Sequence, residues 1–193
     1  CVDGISSYPV MKSNHSFDLL SCFPASAEPG KEFTSVTYSN VYFREPESRA
    51  DQTRMMSIVT TGLETGYYVD VFRSRKERGG DKMHDYFYHN LGQIMTLTAA
   101  DGTDLNLQPT EELAFAGAHL YGYSYLYDKK VAATGKDVKA TFTIDMKDKG
   151  GDDIVMNLWM KGEPDREVFT ALSPMTEGLS RTPGMPYNIK EQP

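Results

Sequence analysis

An antiparallel two-layer β-sandwich, all-β in class, is what the sequence predicts, and three observations carry that expectation. Short runs alternate apolar and polar residues with period two. Glycine, proline, aspartate and asparagine punctuate the intervals between them, and no segment of useful length keeps a helical period. Period-two alternation places successive side chains on opposite sheet faces, and turn residues at short intervals favour antiparallel neighbours. Inner faces then alternate with solvated outer ones in two layers.

Taken in order, Thr34 to Arg44 alternates with Val36, Tyr38 and Tyr42, and Arg54 to Thr61 carries Met56, Ile58 and Val59. Gly66 to Arg73 is rich in aromatic and β-branched residues, which fit a pleated, half-buried surface. Tyr67, Val69, Val71 and Arg73 share one face, and Tyr68, Asp70 and Phe72 share the other. Asp70 therefore sits among apolar neighbours and needs a partner, since a lone buried carboxylate is costly. Arg73 is close in sequence but lies on the other face, which leaves Arg54 or a later residue equally open. Arg75 to Lys82 holds Gly79-Gly80 and several cations, the composition of an exposed hairpin tip. Met83 to Asn90 then returns as the expected partner strand, with His84, Tyr86 and Tyr88 on one face and Asp85, Phe87 and His89 on the other.

Gln93 to Ala99 adds another strand, and Asp101 to about Gly117 is the most loop-like stretch. Leu120 to Asp128 places Tyr121, Tyr123, Tyr125 and Tyr127 on one face, a ladder that either packs between sheets or offers a sugar-stacking platform. Val138 to Met146 and Ile154 to Met160 form a second hairpin across Lys149-Gly150-Gly151-Asp152. One sandwich domain over residues 1–173 and an irregular tail over 174–193, marked by Pro174, Pro183, Pro186 and Pro193, complete the expected organisation.

Composition excludes several function classes. The net charge of −7 argues against nucleic-acid binding, which needs a basic face to release phosphate counterions. No apolar run approaches the roughly 18 residues that a membrane helix requires. Cys1 and Cys22 make neither a disulfide framework nor a metal cluster. His84 and His89 are five residues apart and face opposite ways on a strand, a poor metal motif. Motifs for serine hydrolases, zincins and nucleotide-binding loops are missing, so no residue is assigned as catalytic or metal-binding. Arg73, Arg75, Lys76, Arg78 and Lys82 make a local basic patch that either solvates a hairpin tip or meets an anionic ligand.

VDVFR, a glycine turn and HDYFYHNLG, in that order, resemble the β-sandwich region of the heparinase II/III family of polysaccharide lyases. CVDGISSYP at the start and EGLSRTPGMPY near the end resemble two further segments of the same region. The resemblance implies a supersandwich-like fold, open at its edges, in a fragment of a larger periplasmic or secreted bacterial enzyme. Such lyases cleave uronate-containing glycans by β-elimination. Their central tyrosine and histidine, and the histidine of their zinc site, belong to segments this chain lacks, so the fragment is expected to be inactive alone and to hold no cofactor. Its expected partners are an acidic polysaccharide or oligosaccharide, the missing helical catalytic domain, and a second copy through open sheet edges. Arg73, Arg75, His84, Tyr86, Tyr88, His89, Tyr123 and Tyr125 are the substrate-binding candidates. A non-catalytic carbohydrate-binding or structural module is the alternative expectation.

Overall fold

The computed structural model describes residues 2–3, 16–24, 35–46, 48–79, 83–90, 92–112 and 126–172. Among them the fold is all-β, with antiparallel sheets, no closed barrel and a 3-10 turn at Lys147–Lys149 as the helical element. The strands fall into two compact units, one within Cys1–Tyr86 and the other within Phe87–Phe115 and Tyr123–Pro193. Tyr123, Tyr125, His15, His119 and the tail from residue 174 lie outside the described residues.

The first unit holds a four-stranded meander of β1 (Asp18–Phe23), β2 (Val36–Arg44), β3 (Asp51–Thr60) and β4 (Gly66–Arg75). β2 and β3 are joined by a turn around Glu45, whose carboxylate is buried and accepts the backbone N–H of Ser48. β3 and β4 are joined through Thr61 to Thr65, where the Thr61 N–H donates to the Thr65 carbonyl at 2.9 Å. Register opposes Met56 to Asp70, Arg54 to Phe72 and Gln52 to Ser74, so these six side chains share one face.

This pairing corrects the expected hairpin. The partner of β4 is the preceding β3, and Met83 to Asn90 is not a strand. Its ladder contact is an isolated bridge from His84 to Val2. The physical reason is hydrogen-bond supply: β3 matches β4 over its whole ten-residue length, whereas the 83–90 segment spends its groups on residues 2–3 and on side chains of the β4 face.

The second unit is a small sandwich of two three-stranded sheets. One has the order β5 (Ile94–Ala99), β8 (Val138–Ile144), β9 (Ile154–Met160), and the other β10 (Glu167–Leu172), β7 (Tyr127–Ala133), β6 (Gln108–Pro109). Val138 from the first sheet is buried with Ala132 and Val168 from the second, and Leu97, Leu105, Leu107 and Met160 pack against them. The predicted hairpin of Val138 with Ile154 is present, with Phe142 opposite Met156 and Thr141 opposite Asn157. Gly162 lies where the chain turns towards β10, and a Cβ there would sit 2.1 Å from the Gly135 carbonyl oxygen. Arg166 clamps the same corner, donating to the carbonyls of Lys161 and Lys136, each at 2.6 Å.

Candidate functional site

Among the described residues of the first unit, the densest polar constellation lies on the face of β3 and β4 that carries Asp70. Arg54 and Asp70 are diagonal neighbours in the register, since Arg54 opposes Phe72. The guanidinium grips the carboxylate with two nitrogens: Nη2 to Oδ2 is 2.6 Å and Nε to Oδ1 is 3.0 Å. Tyr86 completes the group, its hydroxyl donating to Asp70 Oδ2 at 2.7 Å and accepting from Arg54 Nη2 at 3.3 Å. The Arg54 guanidinium also lies 5.9 Å from the Tyr86 ring centroid, and Phe72 tilts against that ring at 5.5 Å.

Electrostatics follows from this geometry. Partial burial by itself pushes the Asp70 carboxyl up, but the hydrogen bonds from Arg54 and Tyr86 outweigh it and hold the group below the usual carboxylate range. The hydrogen bond to Asp70 likewise raises the Arg54 guanidinium. Asp70 and Arg54 are thus a neutralised pair. Their side chains are 25% and 42% exposed, which makes this a rim feature and not a sealed ion pair.

Two same-face positions along β4 from Asp70, Ser74 bonds to His84 Nδ1 at 2.8 Å, and the Gln52 amide reaches the same hydroxyl at 3.5 Å. His84 and Tyr86 therefore both reach the Asp70 face. Their segment is pinned from the other side by residues 2–3. The Asp3 N–H donates to the Met83 carbonyl at 2.8 Å, the Met83 N–H to the Asp3 carboxylate at 3.2 Å, and Lys76 pairs with that carboxylate at 3.5 Å. Asp3 adopts a positive φ of 52°, a conformation that aspartate tolerates when its side chain bonds locally.

The other sequence-predicted residues are distributed differently. Arg73 and Arg75 oppose Thr53 and Asp51 and so lie on the far face of β4 from Asp70, with Arg75 exposed and 3.6 Å from Glu77. Tyr88 belongs to the second unit, where its ring packs on Phe142 at 5.9 Å and its hydroxyl approaches Met156 Sδ at 3.6 Å. His89 stacks on Phe87 at 6.3 Å in the same unit. Ser74 and Gln52 belong to the site without being among the residues the sequence singles out. Alternation along Asp70, Phe72 and Ser74 was the available signal for Ser74, while Gln52 needed the β3–β4 register.

Among the described residues no group of three or more His, Cys, Asp or Glu is disposed to hold a metal ion. His84 Nδ1 is engaged by Ser74. No helix among the described residues is long and apolar enough to cross a membrane.

No family model matches the chain, and no solved structure matches it. Over 143 residues it is 32% identical to an endo-acting ulvan lyase of Formosa agariphila, an alignment that covers 72% of this chain. The chain spans 17% of that relative's length. By sequence it is therefore related to a segment of a polysaccharide lyase.

Proposed function

We propose that this chain is the sandwich portion of a heparinase II/III-type lyase that cleaves an acidic, uronate-containing polysaccharide by β-elimination, and that by itself it binds glycan without cleaving it. The similarity to an ulvan lyase carries this reading. β-Elimination requires a base for the proton alpha to the carboxylate, a group that neutralises that carboxylate, and an acid for the leaving oxygen. The Arg54 charge is already satisfied by Asp70, and the Tyr86 hydroxyl proton is held by the same carboxylate. Neither is poised for those roles. The cluster is a strut that fixes His84 and Tyr86 against the sheet.

His84 is the group this strut presents to a ligand. Ser74 Oγ holds His84 Nδ1 at 2.8 Å, which leaves Nε2 as the ring nitrogen turned to a ligand. An exposed imidazole nitrogen suits a sugar hydroxyl, which can either donate to it or accept from it. The enzyme so composed works outside the cytoplasm, where such polysaccharides are met, and the helical catalytic domain of the parent is its natural neighbour.

Affinity electrophoresis of the 193-residue chain through gels containing ulvan or a neutral glucan tests the reading. Retardation by ulvan alone is expected. Equal mobility in both gels and in a glycan-free gel would overturn it.

A further inference from the structure

The outward face of the β5–β8–β9 sheet carries a second group of side chains that the first site does not use. Trp159 is the only tryptophan of the chain and stands on β9 with 62% of its surface exposed. Lys139, directly opposite on β8, places its ammonium 5.2 Å from the indole centroid. In the next row of the same face, Thr141 opposes Asn157 and donates to Asn157 Oδ1 at 2.9 Å. That bond orients the carboxamide so that its NH₂ points away from the threonine. The rows are separated by about 7 Å along the strand, two residues of strand rise. A large aromatic, a cation and an oriented amide thus line up within the length of a disaccharide.

We propose that this face is a binding platform for an acidic glycan chain, with a sugar ring stacked on Trp159, its carboxylate or sulfate paired with Lys139, and a neighbouring hydroxyl bonded to Asn157. The proposal rests on the reading of the parent enzyme as acting on acidic polysaccharide and assigns that polymer a second contact surface. Three features select a glycan. The Lys139 ammonium lies over the indole, and the exposure of Trp159 leaves ring surface open to an apolar sugar face. Lys139 has no carboxylate partner among the described residues, whereas Asp137, two positions earlier, already accepts the Gly162 N–H at 2.6 Å. The Lys139 charge beside the exposed indole matches an anionic sugar, while mutual repulsion between chains of net charge −7 disfavours a second copy against this face.

Because Trp159 is the sole tryptophan, indole fluorescence of the intact chain reports on this face alone. Titration with ulvan should give a saturable change, weakened about tenfold by Lys139→Gln, as expected for loss of one charge-assisted contact, and weakened again by added salt. Asn157→Ala should shift the midpoint in the same direction, and Trp159→Ala should reduce retardation in ulvan gels. A chain that ulvan retards while its fluorescence stays flat and Trp159→Ala migrates unchanged would overturn this platform yet leave the proposed function standing. Fluorescence that follows protein concentration and ignores ulvan would assign the face to self-association and also overturn it. Absence of both retardation and fluorescence change would sink the platform together with the reading it rests on.

Discussion

Arg54 and Asp70, sixteen residues apart and diagonal across β3 and β4, close a two-pronged ion pair with an Nη2–Oδ2 distance of 2.6 Å. The pair locks the register of the two strands, because a one-residue slip would turn both side chains to opposite faces. Tyr86 then uses the same carboxylate as its anchor, so the ion pair also fixes the segment that carries His84.

Acid sensitivity follows from the direction of the Asp70 shift. Its folded-state carboxyl titrates below the unfolded value of about 3.9, so the contribution is complete above that value. As the pH falls between the two values the unfolded chain takes up a proton that the folded chain refuses, and stability declines. Asp70→Asn should therefore lower the melting temperature at neutral pH and flatten the acid limb of the stability profile. Thermal melts from pH 7 to pH 3 check this, and an unchanged acid limb would contradict the role given to Asp70.

Tyr86→Phe keeps the ring against Phe72 and removes only the hydroxyl. A loss of about 1 kcal/mol is expected, the worth of one hydrogen bond to a charged group at a partly exposed site. Combined with Asp70→Ala, the two losses should not add, since both remove the same bond. Denaturant melts of the single and double variants measure the coupling, and strict additivity would mean that the bond contributes nothing.

The corner at Gly162 tolerates no side chain. A Cβ would sit 2.1 Å from the Gly135 carbonyl oxygen and 2.6 Å from the Lys136 carbonyl carbon, both backbone atoms. Gly162→Ala should cost about 2 kcal/mol or more through forced backbone displacement. Arg166→Met should also destabilise, by leaving the Lys161 and Lys136 carbonyls without their donor. Melting temperatures of the two variants provide the check, with a wild-type value for Gly162→Ala as the adverse result.

His84→Ala is predicted to weaken retardation in ulvan gels several-fold and to leave the melting temperature nearly unchanged, because the ring is exposed. Ser74→Ala should weaken binding less, by releasing His84 Nδ1 and loosening the ring. A large stability loss with unchanged retardation would assign His84 a packing role instead.

Local alternation was enough to read most of the strands and both faces of β4, and it identified Asp70 as a group in need of a partner. It also predicted the Val138 and Ile154 hairpin, because a glycine turn separates two runs of matched parity. What it could not supply was pairing at a distance. Gly79-Gly80 looked like a stronger turn than Thr61 to Thr65, yet the latter closes β3 on β4 through backbone bonds that composition does not reveal. The strands Asp18–Phe23 and Glu167–Leu172 leave little trace in the sequence, since neither combines a clear alternation with flanking turn residues. Alternation puts Trp159 on the strand face opposite Met160, but its approach to Lys139 depends on the β8–β9 register.

The claim that this chain holds acidic glycan without carrying out the elimination is tested most directly by incubating the isolated 193-residue protein with ulvan and following the ultraviolet absorbance of unsaturated uronate ends. No increase above the protein-free control is predicted, even at protein concentrations that fully retard the chain in ulvan gels. A steady, enzyme-proportional rise would contradict the account and place the reacting groups within this sequence.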